Sequence, residues 1–227
     1  MNKLNYTDYS QHFGKDKFVA CISHNDYNYK ILEKRKSFVS QFSLDDTNLV
    51  IPHQTHSKNI SIIDRSGVYK DTDGIISINK VFVLSLLVAD CVPLFLLCTK
   101  TNYLALVHSG WRGAKDDISA IAIHNLKLLG ANPLDIKAVI GPSINKCCFE
   151  VDNQVAKLFN SKYSISYKNS KFMLDLKMVV YDQLVDSGIS KDNIFVDNNC
   201  THCNNNYFSF RRQGESAGRM VAVAGWY

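Results

Sequence analysis

Three polar clusters contain the side chains of this sequence that are best suited to chemistry. Each cluster adjoins an apolar run, and the three read PHQTHS at residues 52–57, ADCVP at residues 89–93 and HSGWRG at residues 108–113. Loops at the ends of buried strands commonly carry reactive groups, so these clusters are candidates for one shared site. If His56, Cys91 and His108 converge, their imidazole and thiolate groups suit zinc or copper and leave a fourth position open for water.

Spacing alone does not select metal binding, because no two of these residues form a short metal-binding motif. A second interpretation is a nucleophilic dyad in which Cys91, activated by His108, attacks an acyl or amide carbon. Such a cysteine hydrolase requires a thiol that is free of metal. A third interpretation has no chemistry, with Cys91 as a packed thiol and the histidines as ordinary loop residues. The residues by themselves leave all three open.

Apolar runs predict the elements that would position these clusters. Runs with the length and β-branched content of strands covered on both faces lie at residues 81–88, 93–97, 103–107 and 136–140. Further strands are predicted at residues 18–23, 49–51, 59–63, 193–196, 207–210 and 220–227. Helices are predicted at residues 27–42, 116–129, 151–159 and 175–186. This alternation predicts one compact domain over residues 1–227, with sheets and helices in layers.

The composition is that of an ordinary folded protein, with 46% hydrophobic and 21% charged residues. The formal net charge of +5 is modest, and the densest basic cluster, residues 34–36, falls in a predicted helix. We therefore expect no nucleic-acid binding. The longest apolar run is too short to cross a bilayer and the N-terminus lacks the apolar stretch of a signal peptide, which predicts a cytoplasmic protein without membrane contact. No feature of the sequence predicts an oligomeric state.

Cysteine usage points to reduced thiols. The chain has seven cysteines, an odd number, and no secretory signal, which argues against a disulfide framework. Cys200 and Cys203 are the one pair with a short metal-like spacing. Because no second pair with matching spacing accompanies them, the sequence favours no separate zinc site there.

Taken together and in order, the motifs resemble the YfiH/laccase-domain family, whose members are also known as multicopper polyphenol oxidases and as purine nucleoside phosphorylases. The resemblance covers about residues 50–220. The matching segments are QTHS at residues 54–57, TDG at 72–74, ADCVP at 89–93, HSGWRG at 108–113, GPSI at 141–144, CCFEV at 147–151, FSFRR at 208–212 and GR at 218–219.

The resemblance implies an α+β fold in which mixed sheets are layered with helices. It also implies that His56, Cys91 and His108 bind a metal ion, usually zinc, with copper as the alternative. The implied activity is phosphorolysis of adenosine, inosine and methylthioadenosine, with an additional adenosine deaminase activity. Purine nucleosides and phosphate are therefore the expected ligands, and Arg112 and Glu150 are expected to join the metal ligands in catalysis.

Phosphorolysis needs cations that hold phosphate and an acid or Lewis acid that assists the leaving purine. Guanidinium groups bind phosphate through two parallel hydrogen bonds, so arginines of the matching motifs are the candidates. These are Arg112, Arg211, Arg212 and Arg219. Glu150 and Asp90 are predicted to act as acid–base groups or to support the site. Asp73, in an Asp-Gly pair, is predicted to cap a turn.

The N-terminal segment departs from the family pattern. Members usually carry an arginine followed by a Gly-Gly pair at the substrate pocket, whereas residues 21–26 read CISHND here. The resemblance therefore constrains the substrate less than the fold. Copper-dependent phenol oxidation remains a further interpretation, although the seven scattered histidines are few for several copper ions. A relative that binds zinc without catalysis is the non-enzymatic alternative.

Overall fold

The computed structural model describes residues 5–227, in which two large β-sheets are flanked by helices. The strands are β1 (Tyr6–Asp8), β2 (Phe18–Ser23), β3 (Leu49–Pro52), β4 (Ile60–Ile62), β5 (Gly67–Tyr69), β6 (Gly74–Ser77), β7 (Val83–Val88), β8 (Val92–Cys98), β9 (Leu104–Ser109), β10 (Ile136–Ile140), β11 (Glu150–Asp152), β12 (Ser164–Ser166), β13 (Lys171–Leu174), β14 (Ile194–Val196) and β15 (Met220–Trp226). The helices are α1 (Ser10–Phe13), α2 (Leu32–Ser40), α3 (Trp111–Lys115), α4 (Ile118–Leu128), α5 (Asn153–Ala156), α6 (Leu176–Asp186) and α7 (Phe210–Gln213). Within residues 5–227, no helix has both the length and the apolar character needed to span a bilayer.

The chain passes from one large sheet to the other at a segment that contributes to the site. Sheet A has the strand order β1-β2-β15-β7-β3-β5, and sheet B has the order β14-β10-β8-β9-β6-β4. A third, three-stranded sheet has the order β11-β13-β12. Because β7 belongs to sheet A and β8 to sheet B, residues 89–91 cross from one sheet to the other. In sheet B, β8 and β9 run antiparallel with Pro93 opposite His108.

Alternation along the strands produces a layered core. In β8, Leu94 and Leu96 pack in one cluster with α4 and α6, whereas Phe95 and Leu97 pack with apolar residues of sheet A. The other face of sheet A packs against α2, which contributes Phe38. The order of the layers is therefore α2, sheet A, sheet B, and then α4 together with α6. Inner strands are buried on both faces, and burial of each large apolar side chain stabilises the fold by about 1.5–3 kcal/mol.

The α+β fold predicted from the sequence, with layered mixed sheets and flanking helices, is confirmed. Strands β2 and β10 have the predicted bounds, and the apolar runs at residues 81–88, 93–97 and 103–107 form β7, β8 and β9. The prediction succeeded there because a strand buried on both faces leaves an unbroken apolar run in the sequence.

The helix predicted over residues 27–42 was too long. Only α2 is helical, and Ile31, just before it, has an extended backbone. Of the apolar positions that predicted this helix, Phe38 and Val39 are buried on α2, whereas the side chains of Ile31 and Leu32 are exposed. The buried face of α2 is instead formed by Arg35, Phe38 and Val39.

Two further elements differ from the prediction. The helix predicted at residues 151–159 is reduced to α5, because Val151 pairs with Phe172 in the third sheet. The strand predicted at residues 207–210 is a loop that ends in α7. The hydroxyl of Ser209 accepts a hydrogen bond from the backbone N–H of Arg212 and thereby caps that helix.

Candidate metal centre and substrate cavity

His108 lies near the end of β9, an inner strand of sheet B. The register of β9 with β8 brings Cys91 beside it, and the register of β9 with β6 brings Asp73 beside it on the opposite edge. The backbone N–H of His108 donates to the carbonyl oxygen of Asp73 at 2.7 Å. Strand pairing therefore sets the relative positions of these three residues.

Asp73 is fully buried, and its carboxylate joins two parts of the site. Nδ1 of His108 donates to it at 2.7 Å, and the backbone N–H groups of Thr55, His56 and Ser57 donate at 3.1, 3.1 and 2.7 Å. Burial alone would raise the pKa of Asp73, but the hydrogen bonds from His108 and Ser57 hold it well below its ordinary value. The ionised carboxylate thus does more than the predicted turn cap, since it also fixes the tautomer and orientation of His108.

His56 lies in the loop between β3 and β4 and has a left-handed backbone conformation with a φ of 60°. Such a conformation costs a non-glycine residue about 1–2 kcal/mol. The hydrogen bonds that this loop donates to Asp73 offset that cost. The ring of His56 lies 4.9 Å from that of His108, measured between centroids. The loop therefore presents a second imidazole next to the first.

Asp90 and Cys91 form the crossover between the sheets. Asp90 has a φ of 83°, and its carboxylate accepts hydrogen bonds from the hydroxyls of Thr201 and Ser209 and from the backbone N–H of Arg211, at 2.6, 3.0 and 2.7 Å. The sequence predicted that Asp90 acts either as an acid–base group or as a support of the site. These hydrogen bonds are those of a supporting residue. The crossover that carries Cys91 is held in place by them.

The donor atoms of His56, Cys91 and His108 lie within 4.8 Å of one another. Burial opposes ionisation of Cys91, but the positive charge of His108 lowers the pKa of its thiol to about 6. Burial likewise opposes protonation of His108, but the charge of Cys91 and the hydrogen bond to Asp73 raise the pKa of the imidazole to about 9. Two imidazoles and a thiolate at this separation fit zinc or copper.

Gly110 lies where a side chain would disturb this arrangement. A Cβ atom there would be 3.0 Å from Sγ of Cys91 and 3.2 Å from Cδ2 of His56. The φ of Gly110 is −77°, so alanine meets no backbone strain. We expect Gly110→Ala to displace the donor atoms and weaken metal binding about 10–100-fold, as measured by competition with a chelator. The control is Gly225→Ala, whose Cβ contacts Val83 and Leu44 outside the cavity; equal metal affinity of Gly110→Ala and wild type would contradict the prediction.

A cavity of about 710 Å³ opens over the three donor residues, a volume typical of small-molecule sites. Its wall includes the aromatic side chains of Trp111, Phe149 and Phe210. The charged residues that line it are Lys30, Arg35, Asp90, Arg112, Arg211 and Arg219. Since Asp90 is the one acidic residue among them and is already hydrogen-bonded, the cavity suits an anionic ligand.

Three of the four arginines predicted to bind phosphate line this cavity: Arg112, Arg211 and Arg219. Arg211 is positioned by hydrogen bonds from its guanidinium to the carbonyl oxygens of Cys148 and Glu150, at 3.3 and 2.9 Å. The guanidinium of Arg112 stacks over the ring of Trp111. These contacts leave guanidinium donors available at the cavity wall, because each group has five N–H bonds.

Arg212 and Glu150 are not among the residues that line the cavity. The guanidinium of Arg212 donates to the carbonyl oxygens of Thr201, His202 and Tyr207 at 2.6–2.8 Å. It therefore fastens the loop before α7 in place of the phosphate contact that the sequence predicted. Glu150 accepts a hydrogen bond from Arg211 through its backbone carbonyl oxygen, and its side chain does not line the cavity where the predicted acid–base group would act.

Sequence reasoning missed Lys30 and Arg35, which add positive charge at the N-terminal wall of the cavity. Arg35 is only 5% exposed and donates from Nε and Nη2 to the carbonyl oxygen of Tyr29, at 3.3 and 3.2 Å. No acidic side chain within residues 5–227 forms an ion pair with it. Burial lowers its pKa to about 10. Its place three residues before the buried Phe38 was the signal that could have revealed it.

The sequence model of the family described as multi-copper polyphenol oxidoreductase laccase matches residues 13–226. The chain belongs to this family. The family match confirms the resemblance drawn from the motifs. The crystal structure of the YfiH protein of Bacillus licheniformis superposes with a TM-score of 0.88 at 27% identity, covering 93% of this chain and 94% of that one.

Relatives of this laccase-like chain bear names that refer to purine nucleosides. A purine nucleoside phosphorylase of Clostridium acetobutylicum is 32% identical over 224 residues, which is 92% of each chain. Adenosine deaminase RL5, from an unknown prokaryotic organism, is 29% identical over 217 residues, covering 88% of this chain and 83% of its own length. The chain is thus similar over nearly its whole length to proteins named as enzymes.

Proposed function

We propose that this cavity binds a purine nucleoside and phosphate and cleaves the glycosidic bond by phosphorolysis. The observation that carries the proposal is the buried Arg35, which has no acidic partner among residues 5–227, in the wall of the cavity that contains His56, Cys91 and His108. A buried unpaired cation is costly unless an anion joins it. Phosphate is the anion that the reaction requires, and the name of the clostridial relative supports the substrate class.

The reaction requires that one part of the cavity binds phosphate and another part binds the purine. An oxygen of phosphate forms a bond to the anomeric carbon of the sugar, the bond from that carbon to the purine nitrogen breaks, and the purine takes up a proton. The basic side chains, above all Arg35, Arg211 and Arg219, hold phosphate and neutralise its charge as it attacks. The faces of Trp111 and Phe210 offer stacking surfaces for the purine.

We propose zinc as the metal, held by His56, Cys91 and His108. Bound zinc would supply a Lewis acid for the leaving purine and would activate water for deamination of adenosine. Asp73 keeps the ring of His108 in one tautomer and one orientation. The three donors line the cavity directly, so substrate has access to this point.

The function is tested by chromatography of zinc-loaded protein with adenosine, inosine and methylthioadenosine, each with and without phosphate. Free base that appears only with phosphate supports phosphorolysis, and inosine formed from adenosine without phosphate supports deamination. Zinc-bound protein that consumes none of the three nucleosides would refute the proposal.

Substitution of Arg35 tests the phosphate site. Arg35→Met keeps the length of the side chain but removes its charge, and we expect the KM for phosphate to rise about 10-fold or more, as for the loss of a charged hydrogen bond worth about 1.5–3 kcal/mol. The KM for the nucleoside should change little. Lys36→Met, an exposed neighbour on α2, is the matched control. A rise confined to the nucleoside KM would contradict the assignment.

One observation favours a second candidate function, a cysteine hydrolase. Asp73, His108 and Cys91 follow one another as acid, base and nucleophile, with the acid fixing the tautomer of the base. Metal dependence separates the two functions. A cysteine hydrolase would be most active without metal and inhibited by zinc, whereas the proposed phosphorylase loses activity when a chelator removes the metal.

A further inference from the structure

A second group of metal-ligating side chains lies away from the three donors of the cavity. The sulfur atoms of Cys147, Cys148, Cys200 and Cys203 all lie within 4.8 Å of one another. We call these residues the four-cysteine cluster. Sequence reasoning set aside Cys200 and Cys203 because no matching second pair accompanied them. The fold supplies that pair from a segment more than fifty residues earlier in the chain.

The sulfur separations fit a tetrahedral ion. Sγ of Cys147 lies 3.6 Å from that of Cys148 and 3.9 Å from that of Cys203, and the Cys148–Cys203 separation is 3.3 Å. With zinc–sulfur bonds of about 2.3 Å, the sulfur atoms of a tetrahedral site are about 3.8 Å apart. A disulfide bond, by contrast, is about 2.05 Å long. The four thiols are therefore spaced for shared coordination.

The backbone around the cluster is fixed on both sides. The N–H of Asn145 donates to Sγ of Cys200 at 3.3 Å, and its side-chain amide donates to the carbonyl oxygen of Asn198 at 2.8 Å. Ser143 and Cys200 form a parallel bridge between the two segments. The two cysteine pairs are thus held together by contacts other than their own sulfur atoms.

Nearby cations match the charge of a metal–thiolate centre. Four thiolates and a divalent ion carry a net charge of −2. The buried ammonium of Lys177 donates to the carbonyl oxygens of Asp197 and Asn199, just before Cys200. Arg212 donates to the carbonyl oxygens of Thr201 and His202, inside the Cys200–Cys203 loop.

We propose that the four-cysteine cluster binds zinc as a tetrathiolate and forms a second metal site, independent of the His56–Cys91–His108 centre. Four protein ligands leave no open position, so the site is structural. Its effect on the cavity is direct. Arg211 is anchored on the carbonyl oxygen of Cys148, and Phe149 follows that residue, so zinc here fixes two residues of the cavity wall.

The test uses the full chain with the double substitution His56→Ala/His108→Ala, which removes both imidazole ligands proposed for the cavity metal and leaves only the Cys91 thiol there. We expect this variant, purified under reducing conditions with equimolar zinc, to retain one zinc ion per chain by mass spectrometry. X-ray absorption at the zinc edge should show sulfur neighbours without nitrogen. Because neither nucleosides nor turnover enter this measurement, its result is separate from that of the proposed function.

Addition of Cys203→Ser to the double variant should remove the remaining zinc and lower the temperature of unfolding. Cys203 is exposed, so the substitution leaves the core packing intact. Cys98→Ala, at a buried thiol of β8, is the control and should keep the metal. The proposal is overturned if the double variant binds no zinc, if nitrogen ligands are found, or if the intact mass of anaerobically isolated protein shows a disulfide among these thiols.

Discussion

Replacement of His108 by alanine is expected to remove the cavity metal and to lower kcat/KM for phosphorolysis on the order of 10³-fold or more, as when a group that acts on the developing charge is lost. The reason lies in its position between two partners. His108 contacts the Asp73 carboxylate through Nδ1 and offers its other nitrogen to the point shared with His56 and Cys91. Strand pairing fixes the position of His108 between them. Metal analysis and steady-state assays measure both losses.

His124→Ala, an exposed histidine on α4, is the matched control and should behave like wild type. His108 is buried, so the alanine variant is also checked for its temperature of unfolding. His56→Ala, at an exposed position, should produce the same loss of metal with less effect on folding. Full activity in a folded His108→Ala protein would refute the proposed centre.

Asp73→Asn is expected to have the second-largest effect, on stability and on activity together. The amide group cannot accept all the bonds that the carboxylate accepts from Thr55, His56, Ser57 and His108, so buried donors are left unpaired. We expect the free energy of unfolding to fall by about 3 kcal/mol, the cost of losing hydrogen bonds to a buried charged group. Metal affinity should fall about 10–100-fold, because His108 loses its orientation.

The pH dependence of this loss has a definite sign. The pKa of Asp73 is depressed in the folded protein, so its contribution is fully present above the ordinary value of about 3.9 and disappears as the pH falls below it. The part of the stability difference between metal-free wild type and Asp73→Asn that comes from this carboxylate should therefore shrink as the pH falls below about 4. Asp71→Asn is the control, since Asp71 also accepts a bond from Thr55 but is exposed. A difference that grows in acid would contradict the assignment.

The sequence predicted the candidate metal ligands more readily than the residues that hold those ligands in place. Cys91 and His108 stand next to long apolar runs, since a strand buried on both faces leaves a clear pattern, and His56 follows the shorter run at residues 49–51. Asp73 was underestimated because an Asp-Gly pair is typical of turns, and only the pairing of β6 with β9 places it beside His108. Strand order is a long-range property that local patterns do not encode.

For the arginines, the local sequence did not show which side chains reach the cavity. Arg35 belongs to the basic cluster at residues 34–36, yet it shares the buried face of α2 with Phe38. Arg211 and Arg212 are adjacent and chemically identical, yet one lines the cavity and the other fastens a loop. Neither composition nor spacing reveals that difference.

The placement of the donors on paired strands has a consequence for how such proteins diverge. An insertion or deletion of one residue in β8 or β9 would turn Cys91 or His108 to the opposite face of the sheet, whereas length changes at residues 24–31, between β2 and α2, leave the sheet register untouched. Descendants of a common ancestor can therefore exchange the rim of the cavity while the reactive centre is inherited intact. Residues 24–26, with Arg35 nearby as a buried cation, lie in the segment where such a constraint permits change.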